Sequence, residues 1–266
     1  MARIVVHADA QPWLDDVVDA AQWTVLVAAA GRGTRLGFHK PKILLPVAGR
    51  TILERLADLF KPLCEQFVFV LSPSGLPLIR PEVERLLPGR HRLAIQPSPE
   101  GMGAAVACGM PEVRTRNVAV VWGDQVALRR ASMEFCMRLL QGELGPAAVC
   151  PTVLRDNPYI HFERDAMGKI IRVLQKREGN IMPPHGESDS GVFFFEADAL
   201  RRELGRMLSV GRARGNETGE QNFLPVLVDL DAIPGQLITA RIMSEEESIG
   251  VNSPEDVQYL EDRGLL

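Results

Sequence analysis

Glycines and cations share one short segment near the amino terminus, residues 26–46, "LVAAAGRGTRLGFHKPKILLP". Gly31 and Gly33 lack a Cβ, so backbone N–H groups at this turn could point at phosphate oxygens. Arg35 and Lys42, seven residues apart, would then approach a triphosphate from one side. Phosphoryl and nucleotidyl transfer depend mainly on positioning and on neutralising the charge of the departing oxygen, which fixed cations do. The segment therefore predicts a nucleoside triphosphate site.

Two other kinds of glycine loop fit this segment less well. A Walker A loop requires G-K-[ST] after four intervening residues, and "GRGTRLGFHK" does not contain it. A dinucleotide fingerprint requires G-x-G-x-x-G, but Gly37 comes one residue too late to be the third glycine. Glu54 could imitate the ribose-binding acid, so an NAD(P)-binding oxidoreductase stays open as an alternative. Neither loop explains the cations.

Short apolar runs rich in Val and Ile alternate along the chain with segments of helical periodicity. The runs are continuously apolar, which is typical of strands covered on both faces. They lie at 24–30, 67–71, 92–96, 118–124, 147–153 and 191–196, and clear helical segments lie at 51–60 and 132–141. This order predicts an α/β fold, a Rossmann-like, mainly parallel sheet with helices on both faces.

The rhythm is interrupted between about residues 155 and 191. Two β-like runs surround the turn signal at 165–168, which predicts an inserted β-hairpin, and 179–191 is a polar loop containing Pro and Gly. We expect this insertion to bind the acceptor substrate. Residues 1–22 are predicted to form an N-terminal extension, with a strand at "RIVV" and a helix over "PWLDDVVDAAQW", and residues 23–266 to form one domain.

Composition excludes several classes of protein. The 266 residues carry a formal net charge of −4, which argues against a nucleic-acid or membrane-surface partner. The apolar runs are too short for a signal peptide or a transmembrane helix, and the four cysteines form no C-x-x-C pair. We therefore expect a cytoplasmic protein without disulfides or zinc. A homo-oligomer remains open.

Residues 28–56 resemble the signature of the nucleoside-triphosphate-dependent sugar-phosphate nucleotidylyltransferases, L-A-A-G-x-G-T-R-[ML]-…-P-K. They resemble particularly the uridylyltransferase domain that makes UDP-N-acetylglucosamine. The resemblance implies that Arg35 and Lys42 are the catalytic cations. It further implies that the phosphates lie on a turn formed by Ala29, Ala30, Gly31, Gly33 and Thr34.

Other motifs of this family follow in the expected order. "QPSPEGMGAA" resembles the element that recognises the base, which implies Gln96 and Gly101, and "VVWGD" resembles the strand that ends in a metal-binding aspartate, here Asp124. "GVNSPEDVQYLE" resembles the element that supplies the second metal ligand, here Asn252. One carboxylate and one amide oxygen suit Mg²⁺, which keeps several waters and the phosphates of its substrate. Mg²⁺ is therefore the predicted cofactor.

The half of the sequence expected to bind the acceptor departs from the family. Tyr159 is retained in "PYIHF" where relatives have G-Y-G-R, and Asp189 in "ESDSG" replaces the asparagine of E-x-N-T-G. An aspartate favours hydroxyl donors or an amine over a second anion, because its buried charge needs a partner. We expect an acceptor other than N-acetylglucosamine 1-phosphate, its phosphate held by Lys176 and Arg177.

The base and the activity leave further alternatives. "EGMG" and "GDQ" also resemble the molybdenum-cofactor cytidylyltransferases, and a glutamine amide at position 96 suits uracil or cytosine, so UTP or CTP is expected. A non-catalytic nucleotide-sensing protein with the same fold is the rival from another class. No hexapeptide repeats are visible, so acetyl transfer is not expected.

Overall fold

The computed structural model describes residues 5–7, 17–31, 38, 40–142, 145–242 and 244–266. The strands are β1 (Val5–His7), β2 (Trp23–Ala28), β3 (Pro46–Val47), β4 (Arg50–Thr51), β5 (Gln66–Leu71), β6 (His91–Ile95), β7 (Asn117–Trp122), β8 (Ala148–Asp156), β9 (Ile160–Arg164), β10 (Ile170–Gln175), β11 (His185–Asp189), β12 (Val192–Glu196) and β13 (Leu237–Arg241). The α-helices are α1 (Ile52–Phe60), α2 (Leu76–Leu86), α3 (Met102–Gly109), α4 (Arg130–Gln141), α5 (Ala197–Ser209), α6 (Pro225–Asp231) and α7 (Pro254–Asp262).

One large sheet organises these elements, with strand order β1-β13-β8-β12-β7-β2-β5-β6 and β11 paired to the far end of β8. The pairs β1/β13, β13/β8, β7/β2, β2/β5 and β5/β6 are parallel, whereas β12 runs antiparallel to both neighbours. The predicted α/β architecture with a mainly parallel sheet is confirmed. No helix in the described ranges is long and apolar enough to cross a membrane.

The continuous apolar runs are explained by a core on each face of the sheet. Val25 and Val27 of β2 join one buried cluster with side chains of α1, α2, α4 and α7. Leu26 and Ala28 of the same strand join the other cluster, with side chains of α3, α5 and α6. Because successive strand residues point to opposite faces, every position of such a strand must be apolar.

Helix α1 shows how local sequence fixes an element boundary. The Thr51 hydroxyl accepts a hydrogen bond from the Glu54 amide at 3.1 Å, and the Glu54 carboxylate accepts one from the Thr51 amide at 2.9 Å. This reciprocal capping box starts the helix at Ile52. Glu54 also accepts a hydrogen bond from Arg85 at 3.0 Å. Glu54 is thus engaged in structural contacts, which argues against its role as a ribose-binding acid.

The insertion contains more strand than the sequence indicates. Strands β9 and β10 form the predicted antiparallel hairpin around the turn at 165–168. Within the predicted polar loop, however, β11 pairs antiparallel with β8, so that the expectation of a loop over all of 179–191 is wrong. The pairing satisfies backbone groups that a buried loop would leave without partners.

The amino-terminal extension is only partly described. Strand β1 pairs parallel with β13 through three residue pairs, from Val5/Thr239 to His7/Arg241. The predicted helix over 12–23 is wrong in its described part. Residues 17–19 have no regular secondary structure, 20–22 form a single 3-10 turn capped by Asp19, and Trp23 begins β2. The rest of that prediction lies outside the described residues.

Candidate active site

Three residues predicted from separate motifs meet at one point. The Lys42 ammonium nitrogen Nζ lies 2.8 Å from Asp124 Oδ2 and 2.8 Å from Asn252 Oδ1. Both partners accept hydrogen bonds from this ammonium, although Asn252 is 210 positions away in the chain. The Lys42 and Asp124 side chains are 15% and 22% exposed, so their ion pair is partly shielded from water.

The fold brings Asp124 and Asn252 together through backbone pairing. Asp124 follows β7, and its carbonyl oxygen accepts a hydrogen bond from the Val251 amide at 3.0 Å. Gln125 and Gly250 form an antiparallel bridge beside it. A Cβ on Gly250 would lie 2.9 Å from Asp124 Oδ1, so a larger residue at this position would displace the Asp124 carboxylate. The glycine of the G-V-N motif therefore leaves room for the Asp124 carboxylate beside the backbone that carries Asn252.

The start of α7 orients Asn252. Its backbone amide donates to Asp256 Oδ2 at 2.7 Å, and its side-chain Nδ2 donates to the Gly250 carbonyl at 3.0 Å. The second hydrogen bond turns the amide oxygen Oδ1 toward Lys42. Ser253 and Asp256 form a capping box that begins the helix immediately afterwards. The position just before the helix is consequently rigid.

The donor set at this point suits a hard divalent cation. Asp124 Oδ1 is buried and has no hydrogen-bond partner among the residues that the structure describes. An unpartnered carboxylate oxygen in such a place carries a desolvation cost that a cation would offset. Together with the amide oxygen of Asn252 it provides two protein oxygens, the kind of incomplete set that Mg²⁺ completes with waters and phosphates.

The predicted phosphate turn is described in part. Ala29 donates its amide to the Val70 carbonyl at 2.9 Å, Ala30 is half-buried, and Gly31 is exposed at the carboxyl end of β2. The Gly123 amide donates to the Ala28 carbonyl at 3.1 Å, so this turn lies beside Asp124. Three predicted residues, Gly33, Thr34 and Arg35, lie outside the described residues. Their roles stay predictions.

The two residues predicted to recognise the base are in direct contact. Gln96 follows β6, is 6% exposed, and donates from Nε2 to the Gly101 carbonyl at 3.0 Å. Gly101 has φ +101°, and a Cβ there would lie 2.7 Å from the Gln221 carbonyl oxygen. Only glycine fits this conformation and this spacing. Both residues lie at the same carboxyl edge of the sheet as the phosphate turn.

A cleft of about 500 Å³ adjoins the Lys42 contact. It contains the predicted acceptor residues Tyr159 and Asp189 as well as Asp124 and Asn252. Trp122 and Phe223 form an apolar wall, with ring centroids 5.4 Å apart. Lys176, which was also predicted to face the acceptor, is exposed and does not line the cleft, whereas its neighbours Gln175 and Arg177 do. The lining residues that sequence reasoning missed include Gln125, Arg155, Gln175, Asn222 and Ser248.

Asp189 is the most perturbed carboxyl group of the cleft. Burial raises its pKa from 3.8 to about 6, against the hydrogen bond that its Oδ1 accepts from the Gly191 amide at 2.8 Å. The nearby charge of Asp124 also raises this pKa, and that of Arg155 lowers it. Gly191, with φ +71°, closes the turn between β11 and β12. The turn fixes the carboxyl group beneath the cleft.

An ion-pair network supports the strand that carries Asp189. Arg164 donates to both carboxylate oxygens of Glu187, at 2.7 and 2.9 Å, and Arg241 lies 3.4 Å from the same carboxylate. Burial alone would raise the pKa of Glu187, but the hydrogen bonds and charge of Arg164 outweigh it and hold that pKa below its usual value. The paired guanidinium fork ties the hairpin to β11.

A second cavity, of about 370 Å³, lies at the opposite edge of the sheet. Gln22, Asn117 and Ala147, which begin or precede parallel strands, are among its lining residues. Among the predicted site residues that the structure describes, none lines it. In open α/β sheets, ligands bind outside the carboxyl ends of the strands, so the cleft beside Lys42 is the candidate active site.

Comparisons with known proteins identify the family of the chain. The family model for the MobA-like NTP transferase domain matches residues 25–187. "Bifunctional protein GlmU" of Carboxydothermus hydrogenoformans is 27% identical over 232 residues, which are 85% of this chain and 49% of that protein. The protein of the same name from Pseudomonas putida KT2440 is 30% identical over 194 residues, 72% of this chain and 41% of that protein. The chain thus spans about half the length of the curated relatives it matches, or less.

Solved structures share the fold at low sequence identity. The 4-diphosphocytidyl-2C-methyl-D-erythritol synthase of Anaerococcus prevotii gives a TM-score of 0.65 at 12% identity, covering 94% of this chain and 98% of that one. HddC of Yersinia pseudotuberculosis gives a TM-score of 0.63 at 16% identity, covering 91% and 99%. These likenesses show that the arrangement of strands and helices is shared.

Proposed function

Because the chain belongs to the MobA-like NTP transferase domain family, we propose that this nucleotidyltransferase uses Mg²⁺ to transfer NMP from UTP or CTP to a phosphorylated small-molecule acceptor. The resemblance to sugar-phosphate nucleotidylyltransferases that the motifs predict is confirmed at the level of the family. The observation that carries the proposal is the convergence of Lys42 with Asp124 and Asn252, at 2.8 Å each. It joins three motifs that are far apart in sequence.

The reaction follows from charge and position. A phosphate oxygen of the acceptor attacks the α-phosphorus of the NTP, a new phosphorus–oxygen bond forms, and the bond to the β-phosphate oxygen breaks to release pyrophosphate. Negative charge moves onto the pyrophosphate during this step, so fixed cations stabilise the transition state. Lys42 is proposed to neutralise the α-phosphate and the incoming acceptor. Arg35 is proposed to hold the departing pyrophosphate.

Asp124 and Asn252 would hold the metal ion in this proposal. Mg²⁺ would supply neutralisation of the phosphate oxygens and fix their orientation. The protein's own contribution is to present the buried, unpartnered Oδ1 of Asp124 and the oriented amide oxygen of Asn252 on one side of Lys42.

The contact between Gln96 and Gly101 supports a pyrimidine base. The glutamine amide offers both a donor and an acceptor, and the hydrogen bond to the Gly101 carbonyl keeps it at the edge where the base would enter. Uracil and cytosine differ by exchange of a donor for an acceptor, and the held amide still offers its Oε1 acceptor and its second N–H donor. Assays with both nucleotides distinguish them.

The test is a matrix of substrates with detection of the activated product by mass spectrometry. The purified chain is incubated with Mg²⁺, each of the four NTPs, and phosphorylated sugars, polyols and amino alcohols, and pyrophosphate release is followed in parallel. We expect one pyrophosphate per activated product, a preference for UTP or CTP, and no reaction in EDTA. A melting assay covers the alternatives. A higher melting temperature with NTPs but no product would favour a nucleotide-sensing protein, and a higher melting temperature with NADH alone would favour an oxidoreductase.

A further inference from the structure

Two arginines line the cleft beside the candidate active site, Arg155 and Arg177. Arg177 is already paired. Its Nη1 donates to Glu220 Oε2 at 2.8 Å, its Nη2 donates to Asn222 Oδ1, and Nε lies 3.7 Å from Glu178 Oε1. These contacts hold Arg177 against neighbouring carboxylates, so its charge is neutralised within the protein.

Arg155 is in a different situation. It lies on β8 opposite Gly186, and its one hydrogen bond to a described residue runs from Nη1 to the Ser248 hydroxyl at 3.3 Å. Its Nε is buried without a partner, and no carboxylate oxygen in the described ranges comes within 4.0 Å of its guanidinium. A buried guanidinium N–H without an acceptor is costly. Among the described residues, Arg155 is therefore a cation without a carboxylate at ion-pair distance.

The position of Arg155 relates it to the reacting groups. Arg155, Asp124 and the buried Asp189 line the same cleft. Lys42 donates a hydrogen bond to Asp124 Oδ2 at 2.8 Å. An anion bound by Arg155 would consequently lie in the cleft that also contains Asp124, the partner of Lys42.

We propose that Arg155 binds the phosphate group of the acceptor and thereby restricts acceptors to phosphate monoesters. The proposal rests on the proposed function, and it gives Arg155 the place that the sequence assigns to Lys176 and Arg177. A guanidinium presents several N–H donors in one plane, which matches the oxygens of a phosphate better than an ammonium does. Asp189 is left to accept hydrogen bonds from hydroxyl or amine groups on the body of the same acceptor.

Steady-state kinetics of three variants test the role of Arg155. The acceptor in these assays is the phosphorylated compound that gives the most product in the substrate matrix. Arg155→Gln should raise the KM for that acceptor roughly ten- to a hundredfold, the loss expected for a hydrogen bond to a charged group. The KM for the NTP should stay within about twofold. Arg155→Lys should recover part of the loss, since it keeps the charge. The matched control is Arg172→Gln on the exposed hairpin, which should leave both KM values unchanged.

Calorimetry with inorganic phosphate and EDTA gives a second measurement that needs no turnover. Arg155→Gln should weaken phosphate binding about tenfold relative to the wild type, whereas Arg172→Gln should not. Equal phosphate affinity of Arg155→Gln and the wild type, or an equal rise in both KM values, would overturn the assignment. If the wild type forms no product with any pair of substrates, the proposed function fails, and the phosphate titration alone decides the role of Arg155.

Discussion

The buried carboxyl group of Asp189 leads to a prediction about stability and pH. Asp189 is 7% exposed, and burial raises its pKa from 3.8 to about 6 in the folded protein. Between these two values the folded chain keeps a proton that the unfolded chain has lost. The free energy of unfolding therefore includes a contribution from Asp189 that is fully present below about pH 4 and lost as the pH rises through about 6.

The size of this contribution follows from the change in pKa. At about 1.4 kcal/mol per pKa unit, a rise from 3.8 to about 6 corresponds to up to about 3 kcal/mol. Asp189→Asn removes the titration and keeps the oxygen that accepts the hydrogen bond from Gly191. Part of this contribution is already lost at about pH 4.5, which lies above the pKa of the unfolded chain. The free energy of unfolding of Asp189→Asn, minus that of the wild type, should thus increase by about 2 kcal/mol between about pH 4.5 and about 7.5.

Urea unfolding in EDTA at several pH values between about 4.5 and 7.5 measures this difference. The added amide NH₂ group of the variant shifts its stability by an amount that does not depend on pH, so the slope with pH isolates the carboxyl charge. Asp198→Asn is the matched control, because the Asp198 side chain is 77% exposed, and its difference from the wild type should vary little with pH. A difference for Asp189→Asn that is constant over this range would refute the reasoning.

Three further predictions concern the candidate site and its support. Lys42→Ala should lower the rate of pyrophosphate release roughly 10²- to 10³-fold, measured with a coupled phosphate assay, while the melting temperature changes little. Gly101→Ala should lower the free energy of unfolding in urea by about 1–3 kcal/mol or more, because φ at this position is +101° and the new Cβ would lie 2.7 Å from the Gln221 carbonyl oxygen. Unchanged stability would contradict that geometry. Glu187→Gln should lower the free energy of unfolding by roughly 3–5 kcal/mol near pH 7, because Arg164 loses its carboxylate partner. This loss of stability should shrink as the pH falls below about 4, where the wild-type carboxylate is protonated as well. A loss of stability that does not depend on pH would count against this ion pair.

The strands of the sheet could be predicted because their physical requirement is local. A strand covered on both faces must be apolar at every position, and Val25, Leu26 and Val27 satisfy this by packing into opposite cores. The same local reasoning fails for β11. Its residues, 185–189, are polar, and they form a strand because β8 offers a free edge more than thirty positions earlier in the chain. Pairing of this kind leaves no pattern in the segment itself.

The residues of the candidate site divide in the same way. Asp124 and Asn252 could be predicted because short motifs mark them, and the structure then brings both to Lys42. Arg155 carries no motif. What distinguishes it is that its Nε is buried without a hydrogen-bond partner among the described residues, a property that depends on several distant elements. Lys176 was predicted from the sequence to hold the acceptor phosphate, but it does not line the cleft.

The most direct test of the central proposal is the formation of activated product by Asp124→Asn in the presence of Mg²⁺. The substitution keeps the size of the side chain and removes the carboxylate that pairs with Lys42 and is proposed to hold the metal ion. We expect the rate of product formation, quantified by mass spectrometry, to fall at least about 10²-fold while Asp198→Asn remains as active as the wild type. Product formation by Asp124→Asn at the rate of the wild type would contradict the proposal.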